Sequence, residues 1–220
     1  MTTLLPDTID LLAGIEPGSR LDALRNRRSE ARKNAQDSYL ALFESEELES
    51  VSALERFAVA SFVTGLHGDK GIADFYASGL RRRAAHGIVE TVAGEVARGA
   101  TSGPYGSYPA GPLSSEDQPG LAFAVSPAGR ETLGEKLAAA FDHAHRLVFS
   151  PRDSSPEALQ ALLQAGWSTT GIVTLSQLVA FLSFQIRVIA GLRALLAAPA
   201  ASSKDDVALE LASAVASGRL

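Results

Sequence analysis

The sequence predicts an all-α protein, a bundle of about seven or eight helices, on three observations. Apolar residues recur at spacings of three and four along most of the chain, the period of a helix with one buried face. The apolar–polar alternation of a half-buried strand is almost absent. Serine, aspartate and proline stand where helices would start, and glycine or proline where they would stop.

Ser19 is placed to cap a first long helix, along which Leu21, Leu24, Arg28, Ala31, Ala35, Tyr39 and Leu42 follow at spacings of three or four. Arg25, Arg27, Arg32 and Lys33, interleaved with Asp22, Glu30 and Asp37, read as a solvated, salt-bridged outer face. Ser52-Ala-Leu-Glu55 has capping-box spacing, in which hydroxyl and carboxylate each satisfy an orphan amide; this second helix runs to the Gly65–Gly68 turn. Asp69 caps the next, with Ile72, Phe75, Tyr76 and Leu80 inward. Residues 84–99 are helical again, and Gly99 is the expected stop. Residues 99–120 hold four prolines and many glycines, so no regular element is expected, and Tyr105 and Tyr108 are placed to pin the loop onto the core. A segment of this length is functional more often than ornamental. Residues 121–125 read as a short strand or extended segment, and Ser126-Pro-Ala-Gly129 as a turn.

Helices resume over 131–149. Ser155-Pro156-Glu157 is a strong start for another, ending at Gly166. The longest spans 172–198 before Pro199, and a weak last helix spans 205–217. The chain is thus expected to be one domain over 1–220, with helical blocks at 50–98 and 130–198 joined by a loop region at 99–129.

Composition narrows the chemistry. The chain has no cysteine, so disulfides, thiolate metal sites, iron–sulfur clusters and cysteine nucleophiles are all excluded. A net charge of −5 argues against dedicated nucleic-acid binding. The first residues lack a basic segment followed by an apolar stretch and a small-residue cleavage site, so no signal peptide is read and a cytoplasmic protein is expected. Residues 158–186 carry no charge and no histidine, but Gly166 and Thr169-Thr-Gly171 interrupt them. Two helices of a soluble bundle, the second deeply buried, fit better than a membrane span.

Two blocks carry a family resemblance. One is Leu54-Glu-Arg-Phe-Ala-Val-Ala-Ser-Phe-Val-Thr-Gly-Leu-His67. The other begins Phe141-Asp-His-Ala-His-Arg-Leu147, passes through Ser150-Pro-Arg-Asp and Leu159-Gln-Ala-Leu-Leu-Gln-Ala-Gly-Trp167, and ends at Phe181-Leu-Ser-Phe-Gln-Ile-Arg-Val-Ile-Ala-Gly-Leu192. Together they resemble the alkylhydroperoxidase D-like / carboxymuconolactone decarboxylase superfamily, especially its double-length "peroxidase-related" members. The family's Glu, Asn, Cys-x-x-Cys and His fall here on Phe57, His67, Asp69, Ile72 and Tyr76, so every position of the thiol motif departs. Without sulfur the thiol peroxidase cycle cannot run. The resemblance implies a homo-oligomer and a small-molecule substrate, an organic acid or lactone, handled without cofactor or metal.

His67, Asp69 and Tyr76 occupy the register of the family's chemistry, and they offer a base, an orienting carboxylate and a proton donor. The plainer reading makes Asp69 a cap, Tyr76 core and His67 a satisfied loop residue. Glu55 is a further candidate base. Gln177, Gln185 and Arg187 lie on the long apolar helix and are candidate substrate-binding residues. Arg187 calls either for a carboxylate such as Glu55 or for a ligand carboxylate. Asp142, His143 and His145 imitate a metal cluster, but two histidines two apart on a helix point to different sides. If instead nothing is catalysed, the chain is an inactive oligomer of the same fold that binds a small molecule or a protein.

Overall fold

The computed structural model describes residues 6–45, 50–107 and 109–198. The protein is all-α. Nine helices follow one another among the described residues, and there is no strand: α1 (Thr8–Ala13), α2 (Arg20–Asn26), α3 (Ser29–Phe43), α4 (Ala53–Leu66), α5 (Lys70–Arg81), α6 (Ile88–Gly99), α7 (Pro127–Phe149), α8 (Pro156–Gln164) and α9 (Thr169–Ala197). The expected last helix at 205–217 and Tyr108 lie outside the described residues.

α4 is the axis of the bundle. Every residue from Arg56 to Thr64 is buried, because α5, α6, α7 and α9 all pack around it; a helix apolar on all sides belongs in the middle. Its start is the anticipated capping box, Glu55 N–H to Ser52 Oγ at 3.3 Å and Ser52 N–H to Glu55 Oε2 at 2.7 Å. α5 lies against it at close range. A Cβ at Gly79 would stand 2.1 Å from the Phe57 ring, so only glycine permits this approach. Phe57, Phe43, Phe75 and Tyr76 then form an aromatic cluster with centroids 5.0–6.5 Å apart.

α9 is long and apolar enough to cross a membrane by length and composition. In this fold it packs against α1, α4, α7 and α8 and buries ten of its residues, including Leu175, Leu178, Leu182 and Ile189.

Three expectations need correction. The first long helix is two: α2 and α3 are broken at Arg28, whose backbone leaves the helical region (φ −125°, ψ 56°). The supposedly solvated face is partly interior. Arg25 and Arg32 turn onto Asp7 and Asp10, and Arg32 also reaches Asp22 at 2.7 Å, so that they clamp α1 against α2 and α3. The carboxylates that draw them in belong mainly to α1, a short helix that local periodicity did not reveal. Ser126–Gly129 is a helix start and not a turn. Gly129 N–H donates to Ser126 Oγ at 2.9 Å with Pro127 in the first turn, and the helix kinks at Gly134 (φ 77°). Residues 121–125 carry no regular element, in keeping with the extended alternative, and the region's one bridge among the described residues joins Gly106 to Gln118.

Candidate functional site

Helix α9 carries Ser176, Val179, Ala180, Ser183 and Arg187 at intervals of three and four, which places them on one stripe. That stripe walls a cleft of about 460 Å³. Leu147, Val148 and Phe149 at the end of α7 form an apolar second wall, His67 enters from the end of α4, and Gly103-Pro104 closes one side. A Cβ at Gly103 would lie 2.9 Å from the Phe149 carbonyl oxygen, so glycine is what lets the loop approach α7. Tyr105 N–H, two residues on, donates to that same carbonyl at 2.7 Å and anchors the loop there through its backbone.

His67 and Arg187 meet over Ser183. His67 Nε2 is 3.3 Å from Ser183 Oγ, and the Arg187 guanidinium folds back one turn to donate to the Ser183 carbonyl oxygen at 2.9 Å. Burial first, and the positive charge of Arg187 second, hold His67 below the ordinary imidazole range. The neutral ring is therefore the form favoured at pH 7. Two turns along α9, about 10 Å away at the helical rise, Ser176 Oγ lies 3.0 Å from Nε2 of the buried His143.

The remaining residues singled out in sequence do not line this cleft. Asp69 caps α5, accepting from Ile72 N–H at 3.0 Å, and is ion-paired with Arg193, which also donates to the Leu12 carbonyl at 2.7 Å. Tyr76 is fully buried and its hydroxyl donates to Gln185 Oε1 at 2.6 Å. Burial and the nearby Tyr39 push that phenol well above its ordinary range. Gln185 therefore belongs to the core, where its Nε2 has no hydrogen-bond partner among the described residues. Gln177 is exposed and does not line the cleft.

Glu55 was a candidate carboxylate for Arg187, but it closes the Ser52 capping box and pairs with Lys136 at 2.7 Å. Burial works against its charge, yet the bonds from Lys136 and Ser52 hold its carboxyl below the usual range. Arg187 is exposed, not buried, and among the described residues it makes no ion pair. The uncharged stretch before it covers α8, a turn and only part of α9, and the turn of α9 at 187 faces outward.

His143 and His145 diverge as their spacing implies. His143 turns to Ser176, while His145 donates from Nε2 to the Gly99 carbonyl at 3.0 Å and stacks on Phe123 with centroids 4.5 Å apart. Among the described residues no three His, Asp or Glu side chains are grouped to hold a metal ion. Ser176 and Ser183 were missed in sequence. The available signal was their seven-residue spacing, with Arg187 four further on, which sets all three on one helical face. No family model, curated protein or solved structure matches this chain.

Proposed function

We propose that the cleft binds a small organic acid or lactone and that His67 moves a proton at the carbon beside its carbonyl group, a cofactor-independent reaction of the carboxymuconolactone decarboxylase kind. One observation carries the reading: a half-buried histidine held towards its neutral form and an arginine without a carboxylate partner among the described residues border the same cleft. A base must be unprotonated before it acts. The planar guanidinium of Arg187 takes a carboxylate through two parallel N–H donors. Its charge also favours the enolate that forms when the C–H electron pair moves onto the carbonyl oxygen. Leu147, Val148, Val179 and Ala180 supply an apolar lining that strengthens both effects by displacing water.

The test is deuterium exchange at the α-carbon, followed by proton NMR in D₂O, across a panel of small oxo acids and lactone acids. Exchange accelerated by the wild type, abolished in His67→Ala with melting temperature nearly unchanged, and shifted to higher KM in Arg187→Gln is the expected result. Equal exchange rates with wild type and His67→Ala across the panel would refute it.

A second reading is an oligomer of the same fold that binds a small acid and catalyses nothing. It is favoured by the structural employment of Asp69 and Tyr76, which leaves His67 with no carboxylate to orient it among the described residues. Saturable chemical-shift changes without exchange would select it.

A further inference from the structure

A second concavity, of about 710 Å³, lies between α2, α3 and α9, with Leu24, Phe184, Val188 and Leu192 on its floor and Arg25, Arg27, Arg28 and Arg32 around it. The four arginines are not equivalent. Arg25 and Arg32 are committed to Asp7, Asp10 and Asp22. Arg27 and Arg28 are exposed and make no ion pair among the described residues. Beside them Leu24 is 42% and Phe184 48% exposed, large apolar side chains left open in a recess and not on a convex surface.

Each half of this arrangement specifies part of the occupant. The apolar floor calls for a hydrocarbon body, and two uncommitted guanidinium groups at its edge call for an anionic head. On a chain of net charge −5 such a concentration of positive charge is local and needs a local reason. A second copy of the chain fits poorly, because a two-fold contact sets a patch against itself and would bring these arginines together. The volume lies within the range of small-molecule sites. We propose that this groove binds a free alkyl carboxylate, with the chain along Leu24, Phe184 and Val188 and the carboxylate held by Arg27 and Arg28. The site is separate from the His67 cleft.

Calorimetric titration with octanoate, decanoate and dodecanoate, each below its micelle concentration, tests it. One site per chain is expected, with affinity rising with chain length. Affinity should fall at least about tenfold in Arg27→Gln/Arg28→Gln and in Phe184→Ser, and stay unchanged in His67→Gln. Both altered surfaces are exposed, so folding is retained and is checked by the melting temperature. Lack of saturable binding, or equal affinity in the double variant, overturns the proposal. So does a dimer in sedimentation that Phe184→Ser dissociates, since the face would then belong to a second copy. Binding only to anionic phosphatidylglycerol vesicles, and not to dodecanoate in solution, overturns it in favour of a membrane surface.

Discussion

Acidification from pH 7.5 to 5 should weaken the fold through His143 by about 2 kcal/mol. The side chain is 6% exposed on α7 with Nε2 facing Ser176. Burial, and then the charge of Arg146, push its pKa down from 6.5 to about 4. The folded protein therefore keeps the ring neutral, whereas the unfolded chain takes up a proton as pH falls below 6.5. The unfolded state binds more protons in that window, so stability drops by about 1.4 kcal/mol per pH unit and levels off below about 4. The loss is about 2 kcal/mol at pH 5 and about 3 kcal/mol over the whole window. Trp167 is the chain's one tryptophan and is buried, so its fluorescence reports urea unfolding directly. Carboxylate contributions also fall with pH, but they are common to wild type and His143→Gln and cancel between them. The stability difference between the two proteins should therefore shift by about 2 kcal/mol in the variant's favour on going to pH 5. Parallel stability-versus-pH curves would refute the reasoning.

Tyr76→Phe strands Gln185 Oε1 in the core and should cost about 1–3 kcal/mol in urea unfolding. Adding Gln185→Met removes that acceptor together with the unpartnered Nε2, so the double variant should be more stable than Tyr76→Phe alone. Arg187→Gln should alter stability by no more than about 0.5 kcal/mol, because the side chain is exposed and among the described residues bonds only within its own helix; a cost of several kcal/mol would mark it as a structural ion-pair member. Asp10→Ala removes one of the two carboxylates that Arg25 and Arg32 share and should cost about 2 kcal/mol, seen as a lower urea midpoint with α1 exchanging its amide hydrogens faster.

Where a signal is local the sequence is a reliable guide. Ser52, Asp69 and Ser155 accept from amides three residues ahead, so a handful of adjacent residues carries the whole interaction. The same holds for the all-α class, which depends on helical period, and for the exclusion of thiol chemistry, which depends on the absence of cysteine. The misses have different causes. At Arg28 the inward periodicity of residues 21–42 continues without interruption, and the break is explained by charges on α1 that draw Arg25 and Arg32 across it. At Ser126 the Ser-Pro start signal was present, as it was at Ser155, but the neighbouring glycine suggested a turn.

The sequence by itself determined the all-α class, several helix starts such as those at Ser52, Asp69 and Ser155, and which reactions are beyond a chain without cysteine. Tertiary structure decided which side chains meet. His67 reaches Ser183 across 116 residues, Tyr76 reaches Gln185 across 109, and Asp69 reaches Arg193 across 124. Those partners are selected by how α4 and α5 lie and rotate against α9. That rotation is set by packing, at positions such as the Gly79–Phe57 contact, and no local period encodes it. It sends Tyr76 into the core, ties Asp69 to the end of α9 and leaves His67 and Arg187 together at the cleft.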